Sequence, residues 1–235
     1  MKKTRVIFIH GFLGARENFA YLLPYFENSV AYDVVGFGLA DKPDAAYDAG
    51  TFVSQLEKIV TEPSVFITHS MGGMIAKEFF KKHPKLVRRV YAINYPLAKS
   101  MTEQEKRIRS YKFYSDYLDG KWYAKWMCKT KMIYKWLLLP FMWFSVKRAY
   151  FTSYWRYYNH SYHSASRTLM NFILKDDVEE VFNMRDMFVM IAGEKDFNFQ
   201  PDLLKKFRSY TIPDMKHSFF GFENKIVYII KEDAR

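Results

Sequence analysis

The sequence holds one cysteine, Cys128, so no disulfide can form within the chain and the fold must be held by its own core. That usage fits a reducing compartment, and a cytoplasmic protein is expected. No cluster of cysteine and histidine has the spacing of a metal site, which leaves out zinc-ribbon and finger-like classes. A secretory signal is not expected either. The charged start Met1-Lys2-Lys3-Thr4-Arg5 leads into Val6-Ile7-Phe8-Ile9, but the apolar run stops at His10-Gly11 and no small-residue cleavage site follows. There is no repeat of fixed period and no low-complexity tract. With 49% hydrophobic and 26% charged residues, disordered and fibrous classes fit poorly.

What is present suits one globular domain of 235 residues with an inserted subdomain. Short runs rich in β-branched residues alternate with helical patterns, which predicts an α/β fold with a mostly parallel sheet covered on both faces. The expected strands are Val6–Ile9, Val30–Asp33, Ser64–Thr68, Val90–Asn94, Phe188–Ala192 and Ser209–Ile212. The expected helices are Asn18–Phe26, Thr51–Val60, Gly72–Lys82, Pro201–Phe207 and Phe222–Lys231, the third stopping near His83-Pro84. Alternation breaks between about Leu97 and Arg185, where all five tryptophans fall amid many tyrosines. The division expected is a core of residues 1–97 and 186–235 with an inserted cap of 98–185, helical in its first half.

Chemistry concentrates at three strand ends. Val65-Phe66-Ile67-Thr68-His69-Ser70-Met71-Gly72-Gly73 reads as a strand, a tight turn and a helix, a geometry that lifts a serine hydroxyl clear of the sheet edge. Thr68 stands where glycine is commoner, tolerable if the helix stands slightly further off. A serine needs a base and an orienting group to act at neutral pH. Phe188–Ala192 leaves Asp196 in the loop at its end, and His217 follows the next strand, in the chain order Ser, Asp, His. Asp202 and Asp214 compete with Asp196. His10 and His69 belong to motif turns, His83 ends a helix, and His160 and His163 read as surface or pocket-lining. Gly11 and Gly14 let the loop after the first strand bend back, so that the backbone N–H groups of Phe12 and Met71 become the expected oxyanion donors. Asp33, Gly36 and Gly38 read as turn-formers.

Four blocks together resemble the α/β-hydrolase superfamily, especially its small capped members: His10-Gly11-Phe12, Asp33-Val34-Val35-Gly36-Phe37-Gly38, His69-Ser70-Met71-Gly72-Gly73, and Asp196 with His217. The resemblance implies a helical lid inserted after the strand ending near Asn94. Val6–Ile9 matches the third strand of the full family pattern, so a sheet of about six strands is expected.

The reading that follows is a serine hydrolase of carboxylic esters or thioesters with an apolar acyl group, acting through Ser70, His217 and Asp196 and needing neither metal nor organic cofactor. The same triad also serves carbon–carbon bond hydrolysis or a lyase reaction like that of the menaquinone pathway, with Lys106, Arg107 and Arg109 as candidate carboxylate binders. A binding protein on the same fold is a further alternative. Pocket candidates are His10, Phe12, His69, Met71, Trp122, Trp126 and Trp143.

The formal charge of +11 is uneven, since 13 Lys/Arg face four acidic residues between Lys99 and Ala165. This basic, aromatic cap admits three readings: an ordinary lid over a small-molecule acyl substrate, a membrane-interface contact through Lys131–Phe144, too short to span a bilayer, or recognition of an acyl-carrier or coenzyme A thioester. Nucleic acid is the weaker partner, as no binding motif accompanies the charge. Oligomeric state is left open by the sequence.

Overall fold

The computed structural model describes residues 4–145 and 150–234, apart from the side chains of residues 132, 142, 143 and 145. Six strands, β1 (Arg5–Ile9), β2 (Ser29–Tyr32), β3 (Ser64–His69), β4 (Val87–Ile93), β5 (Phe188–Gly193) and β6 (Arg208–Ile212), form one sheet in the order β2-β1-β3-β4-β5-β6. Every neighbouring pair is parallel. Side chains alternate across it as strand geometry demands. Ile7, Ile9, Phe66, Val90 and Met190 join the core on one face, and Phe8, Ile67, Tyr91, Val189 and Ile191 the core on the other.

The first face is covered by α1 (Ala49–Glu57) and α2 (Met71–Lys82), which contribute Phe52, Leu56, Met74 and Phe79. Ile226, Val227 and Ile230 of the terminal helix belong to the second face. Between β4 and β5 the chain leaves the sheet for α3 (Met101–Ser110), α4 (Lys112–Leu118), α5 (Trp122–Ser145), α6 (Phe151–Tyr157), α7 (Tyr162–Asn171) and α8 (Glu180–Asn183). A single turn, α9 (Pro201–Leu204), separates β5 from β6, and α10 (Glu223–Asp233) ends the fold.

Three expectations need correction. Asn18–Phe26 is not a helix but two 3-10 turns, Arg16–Phe19 and Leu23–Tyr25, because Pro24 has no N–H to give and clashes with the preceding turn. The helix expected over Pro201–Phe207 ends at Leu204, with three residues between it and the start of β6. The second half of the insertion is also helical. There Ser161 caps α7 by accepting from the Ser164 N–H, and Ala165 and Leu169 supply the apolar face that docks on the core.

The insertion is tied back to the core by charge as well as by packing. Lys77 of α2 has no solvent exposure, and its ammonium lies 2.9 Å from both Asp176 and Glu180. Those carboxylates hold it protonated above the ordinary lysine range although burial opposes the charge. Arg167 of α7 donates to Asp44 and to the Ala45 carbonyl, and Asn171 donates to the Ala46 carbonyl at 2.7 Å.

Candidate active site

Ser70 stands between the last residue of β3 and the first of α2, with φ 50° and ψ −121°. Its N–H donates to the Ile93 carbonyl at 2.9 Å, anchoring the turn to β4. A side-chain-bearing residue at that φ is strained, and the surrounding packing enforces it. Gly72 shows how tight the turn is, because a Cβ there would fall 2.2 Å from the Ile9 carbonyl oxygen. Thr68 is accommodated by Gly73, whose missing side chain leaves the Thr68 hydroxyl room to reach the Tyr91 carbonyl at 3.4 Å.

Asp196 sits in the turn after β5, nearly buried, and its Oδ1 accepts both from the Asn198 N–H at 3.0 Å and from His217 Nδ1 at 3.0 Å. With Nδ1 donating to the carboxylate, the other ring nitrogen of His217 keeps its lone pair. Asp214 and Asp202 are exposed and pair with Lys195 and Lys205 instead, so neither reaches the ring. Phe197 covers one side of the His217 imidazole at 4.4 Å between ring centres.

The backbone of His217 is held as closely as its ring. Its carbonyl accepts from His69 Nε2 at 2.8 Å and from Asn94 Nδ2 at 2.9 Å. Asn94 also donates to the Lys216 carbonyl and accepts from the Gly193 N–H at 2.8 Å, so one amide links the ends of β4 and β5 to the histidine loop. A Cβ on Gly193 would meet the Met215 carbonyl oxygen at 2.3 Å, which brings that loop directly onto β5. Asn94 and Asn198 were not singled out by sequence reasoning. The available signal for Asn94 was an asparagine at a strand end, where a left-handed residue, here φ 51°, is tolerated.

His69 and His10 are structural histidines. Burial, with the His217 charge adding to it, drives His69 down to about 3, so the ring is neutral and donates through Nε2 alone. His10 is wholly buried, its Nδ1 on the Gly11 carbonyl and its Nε2 accepting from the Val34 N–H, with its basicity lowered chiefly by burial. Asp33 forms its turn by accepting from Arg16 N–H and Leu39 N–H.

Ser70, His217, Phe12, Met71 and His69 line one cavity of about 250 Å³ whose roof is Tyr111, Tyr114, Tyr154 and Tyr157 from the insertion. Met71 is the first residue of α2, so its N–H has no partner within the helix. Of the other pocket candidates, His10 is sealed beneath the loop and lies outside the wall. Trp122 and Trp126 are 76% and 58% exposed on the outer surface of α5, and the side chain of Trp143 lies outside the described residues. The apolar roof is therefore made by tyrosines. His163 is exposed, but His160 is buried between Tyr117 and the Tyr157 carbonyl, against the expectation of a surface or pocket position. Among the described residues no three of the His, Cys, Asp and Glu side chains stand together as a metal site.

A sequence profile described as "alpha/beta hydrolase fold" matches residues 4–120. A probable lysophospholipase, BODYGUARD 4 of Arabidopsis thaliana, is 28% identical over 157 residues, covering 57% of this chain and 38% of that protein. A serine hydrolase-like protein of Homo sapiens is 28% identical over 116 residues, covering 46% of this chain and 57% of its own. The chain thus spans about two fifths to three fifths of these relatives' length. The crystal structure of a bromoperoxidase from Bacillus anthracis superimposes with a TM-score of 0.71 at 17% identity, covering 98% of this chain and 92% of the other, a likeness of fold. Profile, parallel six-stranded sheet, helical insertion after β4 and the order of the three strand-end loops agree: the chain belongs to the α/β-hydrolase superfamily.

Proposed function

We propose that the protein is a serine hydrolase of carboxylic esters or thioesters with an apolar acyl group. His217, held by Asp196 at 3.0 Å and lining the same cavity as Ser70, is the observation that carries this reading. In the proposed reaction His217 takes the Ser70 proton as Ser70 Oγ attacks the carbonyl carbon. The oxyanion is met by the N–H groups of Phe12 and Met71, and Asp196 steadies the imidazolium. Collapse breaks the bond to the leaving alcohol or thiol, to which His217 returns the proton. Water, deprotonated by the same ring, then releases the acid and restores Ser70. Residues 98–185 serve as the lid whose tyrosines close over the acyl group.

The experiment is direct. Ser70→Ala should lower kcat on a p-nitrophenyl ester by about 10⁴-fold or more with the circular dichroism unchanged, and a fluorophosphonate should label the parent chain but not the variant. Full turnover by the variant would overturn the reading.

The proposal extends to where the cap rests. α5 is turned inside out: Lys131 and Lys135 are buried, whereas Ile133, Trp136, Leu137, Phe141 and Phe144 are 60–87% exposed. At 150–250 Å² per aromatic side chain, these with Trp122 and Trp126 leave on the order of 900 Å² of apolar surface, above the few hundred usual for a monomer. Exposed Lys125 and Lys129 share the helix with this stripe, and self-association of so basic a cap is opposed by charge. An anionic lipid surface is the partner that suits both features. No helix among the described residues is long and apolar enough to cross a membrane.

A further inference from the structure

A guanidinium in the cavity wall has no ion-pair partner among the described residues. Arg107, on α3, forms part of that wall beside Gln104. Its Nη2 donates to the Leu97 carbonyl at 2.8 Å, while Nη1 is shielded from solvent with no acceptor in reach among the described residues. Gln104 is 2% exposed and shows the same one-sidedness: its amide nitrogen donates to the Ile173 carbonyl, and its Oε1 has no donor. The nearby carboxylates are committed elsewhere. Glu103 accepts from the Lys99 N–H and from Gln200 Nε2, and Asp196 holds His217. Neither forms an ion pair with Arg107 within 4.0 Å among the described residues, although the charges of both act on it. Lys106 and Arg109 do not share the feature, Lys106 being exposed and Arg109 paired with Glu105 and Asp119.

Arg107 is only partly buried, but a guanidinium N–H shut off from water without an acceptor is costly, and the group cannot shed its proton to escape the cost. A wall that keeps one is suited to a ligand that brings the missing anion. A dry cavity of about 150 Å³ takes a benzene-sized ligand, so the 250 Å³ here takes about ten non-hydrogen atoms. That is enough for a short acyl chain with a polar end but not for a long fatty chain.

Resting on the serine-hydrolase reading and narrowing its acyl group, we propose that Arg107 is a specificity-determining anchor for a carboxylate at the far end of an acyl chain that is otherwise mainly apolar. The substrate class is then a monoester or monothioester of a short dicarboxylic acid. Gln104, with its acceptor unfilled, favours a carboxylic acid derivative that also carries a donor along the chain, such as an amide or hydroxyl.

The test compares the 4-nitrophenyl monoester of hexanedioic acid with 4-nitrophenyl hexanoate, whose acyl chain has the same number of carbons, after subtraction of uncatalysed hydrolysis. The parent chain should favour the anionic ester in kcat/KM by roughly tenfold to a hundredfold, the range set by one charge-assisted contact. Arg107→Met should collapse that ratio, with the change in KM, and Arg107→Lys should restore part of it. A merely structural role would lower both substrates alike and leave the ratio intact. Should Arg107→Met fail to fold, the ratio in the parent and in Arg107→Lys still decides. Fluorophosphonate labelling of Ser70 separates the two readings. A labelled serine with no preference for the anionic ester in the parent chain overturns the anchor and leaves the hydrolase standing; no labelling overturns the hydrolase.

Discussion

At the level of single residues the backbone of Ser70 is the most informative. An L-residue at φ 50° and ψ −121° costs about 1–3 kcal/mol, a cost glycine largely avoids. Ser70→Gly is therefore expected to be more stable than Ser70→Ala by about 1 kcal/mol, read as a higher urea midpoint at equal slope, although neither should turn over ester. Equal midpoints would show the turn to be unstrained. That Ser70, Asp196 and His217 belong together was legible in the sequence because each lies in a loop that follows a strand, and chain order restricts the combinations. Asn94 and Asn198 were not, since an asparagine in a turn looks alike whether it caps the backbone or braces a neighbour. Arg107 stood out from Lys106 and Arg109 only after α3 was placed, because burial and pairing are set by contacts distant in sequence.

At the level of elements, all six strands were readable, for buried parallel strands present short β-branched runs between turn residues. The failures were in helices. Pro24 divides one expected helix, and α6, with Phe151, Tyr154, Trp155 and Tyr157 among its seven residues, lay hidden in a stretch so rich in aromatics that periodicity was blurred. The same density concealed which way α5 faces, and its aromatic side chains were expected in the pocket although Trp122 and Trp126 lie outside it. Replacing Trp136, Leu137 and Phe141 by serine should remove exposed apolar surface without touching the cavity. On vesicles of phosphatidylcholine with about 30% phosphatidylserine, a ratio chosen to give a strongly negative surface, the parent chain should co-sediment and the triple variant should lose at least tenfold in partition coefficient. Equal partitioning of the two would remove α5 from the contact.

For the whole molecule, three imidazoles are buried in the uncharged form. Burial takes His69 and His160 down to about 3 and moves His10 in the same direction. In the unfolded chain each titrates near 6.5. Their contribution is therefore complete above that value and lost as the pH falls toward 3, since the unfolded state binds the extra protons. His69 and His160 each cost about 1.4 kcal/mol per pH unit within that window. The urea midpoint should drop markedly between pH 7 and pH 5, and His160→Gln should have a shallower decline than the parent. A flat profile over that range would mean that the rings are charged in the native state.

The buried ammonium of Lys77 has one more implication. It rises from the helix that begins beside the nucleophile and pairs with Asp176 and Glu180 beyond α7, while Arg167 and Asn171 of α7 donate to the loop of residues 44–46. The later end of the insertion is thus fastened to the sheet core by a sealed ion pair, and a movement that spared that pair would have to hinge there. The α3 to α6 side is held by less buried contacts, such as Tyr150 stacked on Phe220 and Arg156 paired with Glu17, so a hinge at the far end would open the cavity there.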